Sequence, residues 1–372
     1  MLHLIIIQLK TNRMATFLIT DTDNWIINKD FFYLLWFQPT LGGIAIRKNG
    51  IHIFLDKRYF EKTKKINQKR ICEKTNAEKV YFHEITWPLI DAMLISCSDS
   101  KAIEVEESLT LKYFKEIKNK SDMWVDSHPK KMEIIPSFFE KIRICKSERE
   151  QDKLSKAIKI IDQVALYIEY LIKSKQIIWK TEIEVRNIII NKILEFWWEA
   201  ESFNSIVAFW EHSAIAHHSA SDTVIENGPL LIDMWAIYKW YCSDFTRTYW
   251  VGAKTKDYEE FANIYQSVKK AHIKAILWAR VGMKAHEIDL IARKSIEKDW
   301  YGSYFSHSTG HWIWVNVHEK PWINQLSQEE IQPGMVFTIE PWIYLPWKFW
   351  VRIENIVFAK SERVKCSSKI SY

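Results

Sequence analysis

Four carboxylates and a run of histidines carry the chemistry that can be read from this chain. Asp233 closes the apolar segment Pro229-Leu-Leu-Ile-Asp, and Asp244 lies in Tyr241-Cys-Ser-Asp-Phe-Thr-Arg. Both segments have the composition of strands. A hairpin turning around Tyr238 and Lys239 sets residues whose numbers total 477 opposite one another, so Asp233 and Asp244 become cross-strand neighbours with Cβ atoms ~5 Å apart. Glu340 ends Met335-Val-Phe-Thr-Ile-Glu and Glu354 ends Val351-Arg-Ile-Glu; a turn over Pro346-Trp347-Lys348 is centred midway between them. Each of the two hairpins thus presents a facing carboxylate pair. Between the hairpins in sequence stand His307, His311 and His318, three histidines within 12 residues, and His217 and His218 precede the first hairpin.

Like charges this close cannot all stay ionised without compensation. Either hairpin alone would suit a solvated pair of acids. Two of them on apolar strands, with histidines between, call for cations. Two divalent ions about 3.5–4 Å apart, with bridging carboxylates, would supply that charge. Four carboxylates and one imidazole form a hard, oxygen-rich donor set that suits Mn²⁺, Fe²⁺ or Co²⁺ better than a thiolate-type structural zinc. Such a pair lowers the pKa of a bridging water and polarises a carbonyl, so the residues themselves point to metal-assisted hydrolysis.

The elements that must position this site follow from periodicity. Leu154, Ala157, Ile158, Ile161, Val164, Ala165, Ile168 and Leu171 keep helical spacing. A second helix begins at Thr181, where Thr181 and Glu184 have the capping-box pattern and Val185, Ile188, Ile189 and Leu194 supply an apolar face. Further helices fit 257–279 and 285–299, and strands fit 229–235, 241–251, 334–340 and 350–358. Helices alternating with antiparallel hairpins predict an α+β domain over 146–372, built of two similar halves. Residues 1–135 read as a smaller α/β domain, with strands at Gly43 to Arg47 and Ile51 to Leu55 and a helical stretch from Tyr59 to Thr75. The stretch from Asp126 to Ile144, with Pro129 and Pro136, reads as a linker, and the polar tail from Ala359 to Tyr372 has no assigned role.

Composition excludes several classes. The net charge of +6 is mild, and the cluster Lys64, Lys65, Lys69, Arg70 lacks aromatic or glycine interleaving, so it reads as a solvated helix face and not a nucleic-acid surface. Five cysteines without close spacing read as free thiols of a reducing, cytoplasmic compartment. No apolar run has membrane-spanning length. The start MLHLIIIQLK lacks a cationic segment and a small-residue cleavage site, which argues against a signal peptide, and Met14 is a second candidate start.

The chain has 19 Trp and only 9 Gly. Glycine usage is therefore about 2.4%, against an ordinary ~7%, and the two residue types together reach about 7.5%. The tryptophans stand where glycine chemistry is needed: Trp300 just past a helical pattern, Trp240 at a hairpin turn, Trp347 after Pro346. The expectation is a gene from a lineage that reads UGA as glycine, written out here with UGA as tryptophan.

With tryptophan read as glycine, the stretches FNSIVAFW, LLIDMWAIYKWYCSDFTRTYWVG, STGHWIWVNVHEKPW, PGMVFTIEPWIY and VRIEN resemble the motifs of the pita-bread metallopeptidases, in particular the aminopeptidase P and prolidase branch. Tyr33-Leu-Leu-Trp-Phe and Leu55-Asp-Lys-Arg-Tyr are similar to the creatinase-type N-terminal domain. The resemblance spans about residues 20 to 358. It implies a pita-bread catalytic domain behind a creatinase-like α/β domain. It also implies two divalent metal ions, foremost Mn²⁺, with Co²⁺, Fe²⁺ or Zn²⁺ as substitutes. Asp233 would hold one ion, Asp244 and Glu354 would bridge both, and His311 and Glu340 would complete the shell of the other. Glu340 would also act as general base for the bridging hydroxide nucleophile. His217 and His318 would orient substrate and stabilise the oxyanion, and His307 would line a proline pocket. Arg352 matches an arginine near the substrate, though beside Glu354 it could equally balance charge.

The activity so implied is an Xaa-Pro aminopeptidase acting on peptides with proline at the second position, with Xaa-Pro dipeptidase as the alternative and a homodimer as the assembly. A methionine aminopeptidase would lack the N-terminal domain, and a creatinase-like hydrolase would not need all five ligands. A non-catalytic binding protein on the same fold is the reading from another class. Indoles at Trp235, Trp312, Trp314 and Trp342 would crowd the site where glycine lets backbone approach.

Overall fold

The computed structural model describes residues 14–24, 28–47, 50–66, 68–75, 77–123, 131–196, 205–215, 217–346 and 348–370. The chain divides into two units with the boundary between Arg143 and Ile144.

In the first unit, strands β1 (Met14–Asp21), β2 (Leu41–Arg47), β3 (Gly50–Leu55), β4 (Val80–Glu84), β5 (Ala102–Glu106) and β6 (Lys131–Ile135) form one mixed sheet in the order β4-β3-β2-β1-β5-β6. β2 pairs antiparallel with β1, across an intervening helix (Lys29–Leu35), and with β3 in a hairpin, and the other pairings are parallel. The stretch expected as a linker therefore contributes an edge strand, Lys131–Ile135, which ends before Pro136, a residue with no N–H for the ladder. Residues 126–130 of that stretch lie outside the described residues. The helical stretch expected from Tyr59 to Thr75 is broken, because Ile66 is extended (φ −80°, ψ 130°) and separates a 3₁₀ turn at Glu61–Lys65 from the helix Gln68–Thr75.

Among the described residues, the second unit contains four long helices: α1 (Glu148–Lys173), α2 (Glu182–Phe196), α3 (Tyr258–Trp278) and α4 (Ala285–Lys298). The expected apolar face of α1 is buried at every position from Leu154 to Leu171. The capping box of α2 forms, with Thr181 N donating to Glu184 Oε2 (2.7 Å) and Glu184 N to Thr181 Oγ1 (3.2 Å). Its buried stripe is Val185, Ile189 and Ile193; Leu194, expected there, is exposed, because the i, i+4, i+8 row reaches 193.

Helices α1 and α2 pack on β7 (Ile206–Phe209), β8 (Gly228–Met234) and β11 (Phe245–Val251), which form a three-stranded antiparallel sheet. Helices α3 and α4 share a core with a five-stranded sheet, order β13-β12-β14-β17-β18. Its strands are β12 (Gly310–Trp312), β13 (Glu319–Ile323), β14 (Val336–Ile339), β17 (Asn355–Lys360) and β18 (Arg363–Cys366). Two small ladders, β9 (Ile237–Tyr238) with β10 (Tyr241–Cys242) and β15 (Trp342–Tyr344) with β16 (Trp350–Arg352), extend the hairpins. The tail reaches both layers: β18 pairs with β17, and Ser368 Oγ and Lys369 N donate to Asp162 on α1. All five cysteines are free, and among the described residues no helix is long and apolar enough to cross a membrane.

The backbone treats several tryptophans as glycine is ordinarily treated. Among the described residues, eight non-glycine residues have positive φ, and five are tryptophan: Trp36 (65°), Trp179 (68°), Trp210 (51°), Trp240 (73°) and Trp300 (69°). Trp300 sits at the left-handed position of a Schellman motif. Its N–H reaches Glu297 O (3.0 Å), and Tyr301 N reaches Ile296 O (3.2 Å). Its indole is 91% exposed, so packing does not offset the backbone strain. Inside the core, the indole N–H groups of Trp312 and Trp350 find no acceptor, which ordinarily costs ~1–3 kcal/mol each. Trp300→Gly is therefore expected to stabilise the protein by about 1 kcal/mol, seen as a higher urea midpoint at unchanged slope. A lower midpoint would show that the left-handed site does not strain the chain.

Candidate metal centre

Asp244, Glu340 and Glu354 lie where the two long hairpins lose their ladders, and Asp233 lies one residue from the end of β8. In the second hairpin the expected register holds on both sides of the gap. Ile339 opposes Asn355 and Trp342 opposes Arg352, which leaves Glu340 and Glu354 facing across the unpaired stretch. Residue 347 itself lies outside the described residues. In the first hairpin the register differs from the expected one by two. Tyr238 opposes Tyr241 and Asp233 opposes Thr246, so Asp244 is the diagonal neighbour of Asp233 and not its direct partner. The cause is the turn: Lys239 (φ 48°) and Trp240 (φ 73°) form a two-residue loop with both residues left-handed, one position later than a turn on Tyr238 and Lys239. A diagonal pair still shares one face of the sheet.

The two hairpins are bolted together by polar groups. Glu354 N donates to Thr246 O (3.0 Å), and Thr246 Oγ1 donates to Glu354 Oε2 (2.6 Å). The fully buried Arg247 donates to Glu354 O (2.7 Å) and Asn355 Oδ1 (2.9 Å). Thr338 receives His311 N (3.1 Å) and donates to Glu340 Oε1 (3.3 Å). Gly310 allows that approach, since a Cβ there would lie 2.0 Å from Thr338 O. Thr246, Arg247 and Thr338 were not singled out from sequence. The available signal was spacing: each threonine stands two residues from a site carboxylate, Asp244-Phe-Thr246 and Thr338-Ile-Glu340, and so shares its strand face.

Asp233, Asp244, His311, Glu340 and Glu354 line one cavity of about 50 Å³, together with His217, His318, Arg352, Ile206 and Trp235. Potential ligand atoms of Asp233, Asp244 and Glu354 lie within 4.8 Å of one another, as do those of His311, Glu340 and Glu354, and those of Asp244, His311 and His318. Asp244, His311 and Glu354 are each common to two of these groups. His311 Nε2 is 3.5 Å from Asp244 Oδ2 and 3.3 Å from Glu340 Oε1. Its other nitrogen lies 3.1 Å from Trp312 O, so Nδ1 carries the proton and Nε2 offers a lone pair to the carboxylates. His307 is not among the lining residues. It is exposed, and its ring packs 4.9 Å from that of Trp342.

The charge balance is unfavourable as it stands. Arg352 pairs with Asp233 Oδ2 and is the one guanidinium lining a cavity that holds four carboxyls. Burial, then the neighbouring carboxylates, raises Asp244 and Glu354 well above the usual carboxyl range. Burial also raises Asp233 against the opposing pull of Arg352, and pushes Glu340 up to about 7. Burial and then His318 push His311 down to about 3, which keeps it neutral. Asp233 Oδ1 and Glu354 Oε1 are buried without a hydrogen-bond partner. Orphaned anionic oxygens beside a neutral imidazole are a fit for divalent cations, and no thiolate is present to favour another class of ion.

Comparison with known proteins agrees with this chemistry. Residues 152–361 match the model of metallopeptidase family M24. The chain is 32% identical over 333 residues to an Xaa-Pro dipeptidase of Pyrococcus horikoshii, covering 89% of this chain and 87% of the relative. It is 28% identical over 362 residues to a putative Xaa-Pro aminopeptidase of Mycoplasma genitalium, covering 97% and 94%. The solved structure of the prolidase from Pyrococcus furiosus superposes with a TM-score of 0.82 at 26% identity, covering 99% of this chain and 100% of that one. The chain belongs to metallopeptidase family M24 and has the pita-bread fold of that family.

The raised carboxyls set a pH dependence. A group whose folded pKa lies above its unfolded value stabilises the fold at low pH and loses that contribution as pH rises through the folded pKa, here about 7 for Glu340. Divalent ions need the ionised form, so their binding displaces protons and tightens as pH rises. The gain in Tm on adding Mn²⁺ is expected to be larger at pH 8 than at pH 5.5, checked by thermal melts with Mn²⁺ or with EDTA. An equal gain at both values would mean that the ion does not meet these carboxyls.

Proposed function

We propose that this chain is a two-metal peptidase cleaving next to proline, and within that class an Xaa-Pro aminopeptidase. The observation that carries the reading is the convergence of Asp233, Asp244, His311, Glu340 and Glu354 on one cavity with carboxylate oxygens left unpartnered. Asp233, Asp244, His311, Glu340 and Glu354 would hold the two ions, Asp233 toward one, His311 and Glu340 toward the other, with Asp244 and Glu354 placed to serve both. Mn²⁺ suits this oxygen-rich set, with Co²⁺, Fe²⁺ and Zn²⁺ as alternatives. When bound, the ions supply Lewis acidity toward water and toward the scissile carbonyl.

The protein groups do the rest. Glu340, at the cavity wall, would take a proton from the attacking water and return it to the departing proline nitrogen. His217 and His318, at the cavity wall, donate to the carbonyl oxygen as charge develops on it. Arg352 holds Asp233 and neutralises part of the site's charge. The substrate class rests on the names of relatives that align over most of both chains. A homodimer in the cytoplasm completes the proposal by family resemblance. Xaa-Pro dipeptidase is the second reading, favoured by the Pyrococcus horikoshii relative.

The same reading requires glycine where tryptophan is written. Trp235 forms part of the wall of the cavity of about 50 Å³, where glycine would leave more room beside the ligands. With glycine at 342, the face of His307 now covered by the indole is free to meet a proline ring. The intact mass of the protein from its own host is expected to match glycine at the 19 positions.

The protein with glycine at those positions, loaded with Mn²⁺, should release the first residue from Xaa-Pro-Yaa tripeptides faster than it splits Xaa-Pro dipeptides. Glu340→Gln should lower kcat on the order of 1000-fold. Faster dipeptide cleavage would assign it as a dipeptidase. No turnover, together with less than one equivalent of bound Mn²⁺, would leave a non-catalytic binding protein.

A further inference from the structure

We propose that Glu182 is a positioning residue whose buried carboxylate fixes, from both ends, the loop that presents His217 to the cavity. The inference rests on the peptidase reading. Glu182 opens α2 and is fully buried. Its Oε1 accepts from Phe209 N (2.8 Å) and lies 2.9 Å from His212 Nδ1. Its Oε2 accepts from Ser221 N (2.9 Å) and Ser221 Oγ (2.7 Å), and lies 2.7 Å from His218 Nε2. Phe209 and His212 precede His217 in the chain; His218 and Ser221 follow it. The rings of His212 and His218 stack with centroids 4.4 Å apart, closing the loop over the carboxylate. A group that only accepts is required here, because every neighbour is a donor.

Glu182, His212 and His218 also have the spacing of a metal site, with potential ligand atoms within 4.8 Å of one another. Charge separates this cluster from the catalytic one. At the catalytic centre, carboxylate oxygens are orphaned beside other carboxylates. Here a single carboxylate meets five donors. Burial opposes its ionisation, but His218, the Phe209 N–H and Ser221 outweigh that and hold the carboxyl below its usual range. Both oxygens are already engaged by these donors, so none is left orphaned for a cation to meet.

The second half of the unit repeats the device. Asp289 on α4, fully buried, accepts from Arg293 and from Thr309 Oγ1 (2.7 Å). Arg293 in turn donates to Phe305 O (2.6 Å) and His307 O (3.0 Å), holding the loop that carries His307. In each half, the second helix places a buried carboxylate beneath a histidine-bearing loop.

The test is a double-mutant cycle between Glu182→Gln and His217→Ala in the Mn²⁺-loaded enzyme. Glu182→Gln alone should lower kcat on the order of 100-fold with bound metal unchanged, as expected of a misplaced reacting group. Combined with His217→Ala it should cost nothing beyond His217→Ala alone. His218→Gln, which keeps a donor, should retain more activity than His218→Ala. If Glu182→Gln does not fold, Ser221→Ala enters the same cycle. Additive losses would overturn the proposal, as would a third equivalent of metal that His212→Ala and His218→Ala remove. If the wild type cleaves no Xaa-Pro peptide, the peptidase reading fails on its own. The imidazole ¹⁵N resonances of His217 then decide: one set in wild type and several in Glu182→Gln supports positioning, and one unchanged set in both overturns it.

Discussion

Four carboxyl groups sharing one buried cavity repel each other, and their burial makes that repulsion stronger than it would be in water. A chain left to its own electrostatics would turn them outward. What keeps them inward is that each sits beside a ladder whose remaining residues are apolar and committed to the core. Leu231 and Ile232 precede Asp233, Phe245 follows Asp244, and Ile339 and Ile353 flank the two glutamates. Moving any one carboxyl to solvent would require a strand to slip, and a slip by one residue would turn its buried side chains to the wrong face. The apolar core therefore sustains an electrostatic strain that divalent ions are suited to relieve.

That strain explains why the ladders open where they do. A continuous ladder would hold facing carboxylates at fixed cross-strand spacing with no freedom to turn their oxygens. Both hairpins instead interrupt their regular ladder for two residues on each strand, at 235–236 and 243–244, where Ser243 N still donates to Ala236 O (2.8 Å), and again at 340–341 and 353–354. The released backbone groups are used between hairpins, as when Glu354 N reaches Thr246 O. Thr246 and Thr338 then orient individual carboxylate oxygens. A strand pair that runs unbroken through the site could build the same core but could not aim the ligands.

Much of this was legible because the helices and strands obey simple periods. The stripe of α1 and the capping box of α2 need only local chemistry to be recognised. The facing of Glu340 and Glu354 could be read because the turn between them is marked by Pro346 and the register is even on both sides. The first hairpin was read two residues out of register because its turn takes two left-handed residues, Lys239 and Trp240, neither of which announces that conformation in a plain reading of the chain. Arg247 was invisible for a different reason. Its partners, Glu354 O and Asn355 Oδ1, are more than 100 residues away, and nothing local distinguishes a buried arginine from a solvated one. The edge strand at Lys131–Ile135 was missed because it pairs with β5 across an intervening helix, a non-local partner that prolines on either side disguise.

The turn at Trp240 ties the register of the metal centre to the identity of the written tryptophans. A loop with both residues left-handed is what sets Thr246 opposite Asp233, and so what places Asp244 one step further along the sheet. Glycine reaches that conformation without penalty, whereas an indole-bearing residue is strained in it. The same requirement recurs at Trp36 and Trp300, where left-handed residues close helices, and it is independent of the crowding at Trp235 and Trp342. Backbone geometry at the turns and packing at the cavity thus ask for the same substitution by unrelated physics. A protein that had evolved to use indoles would have had no reason to place them preferentially where φ is positive.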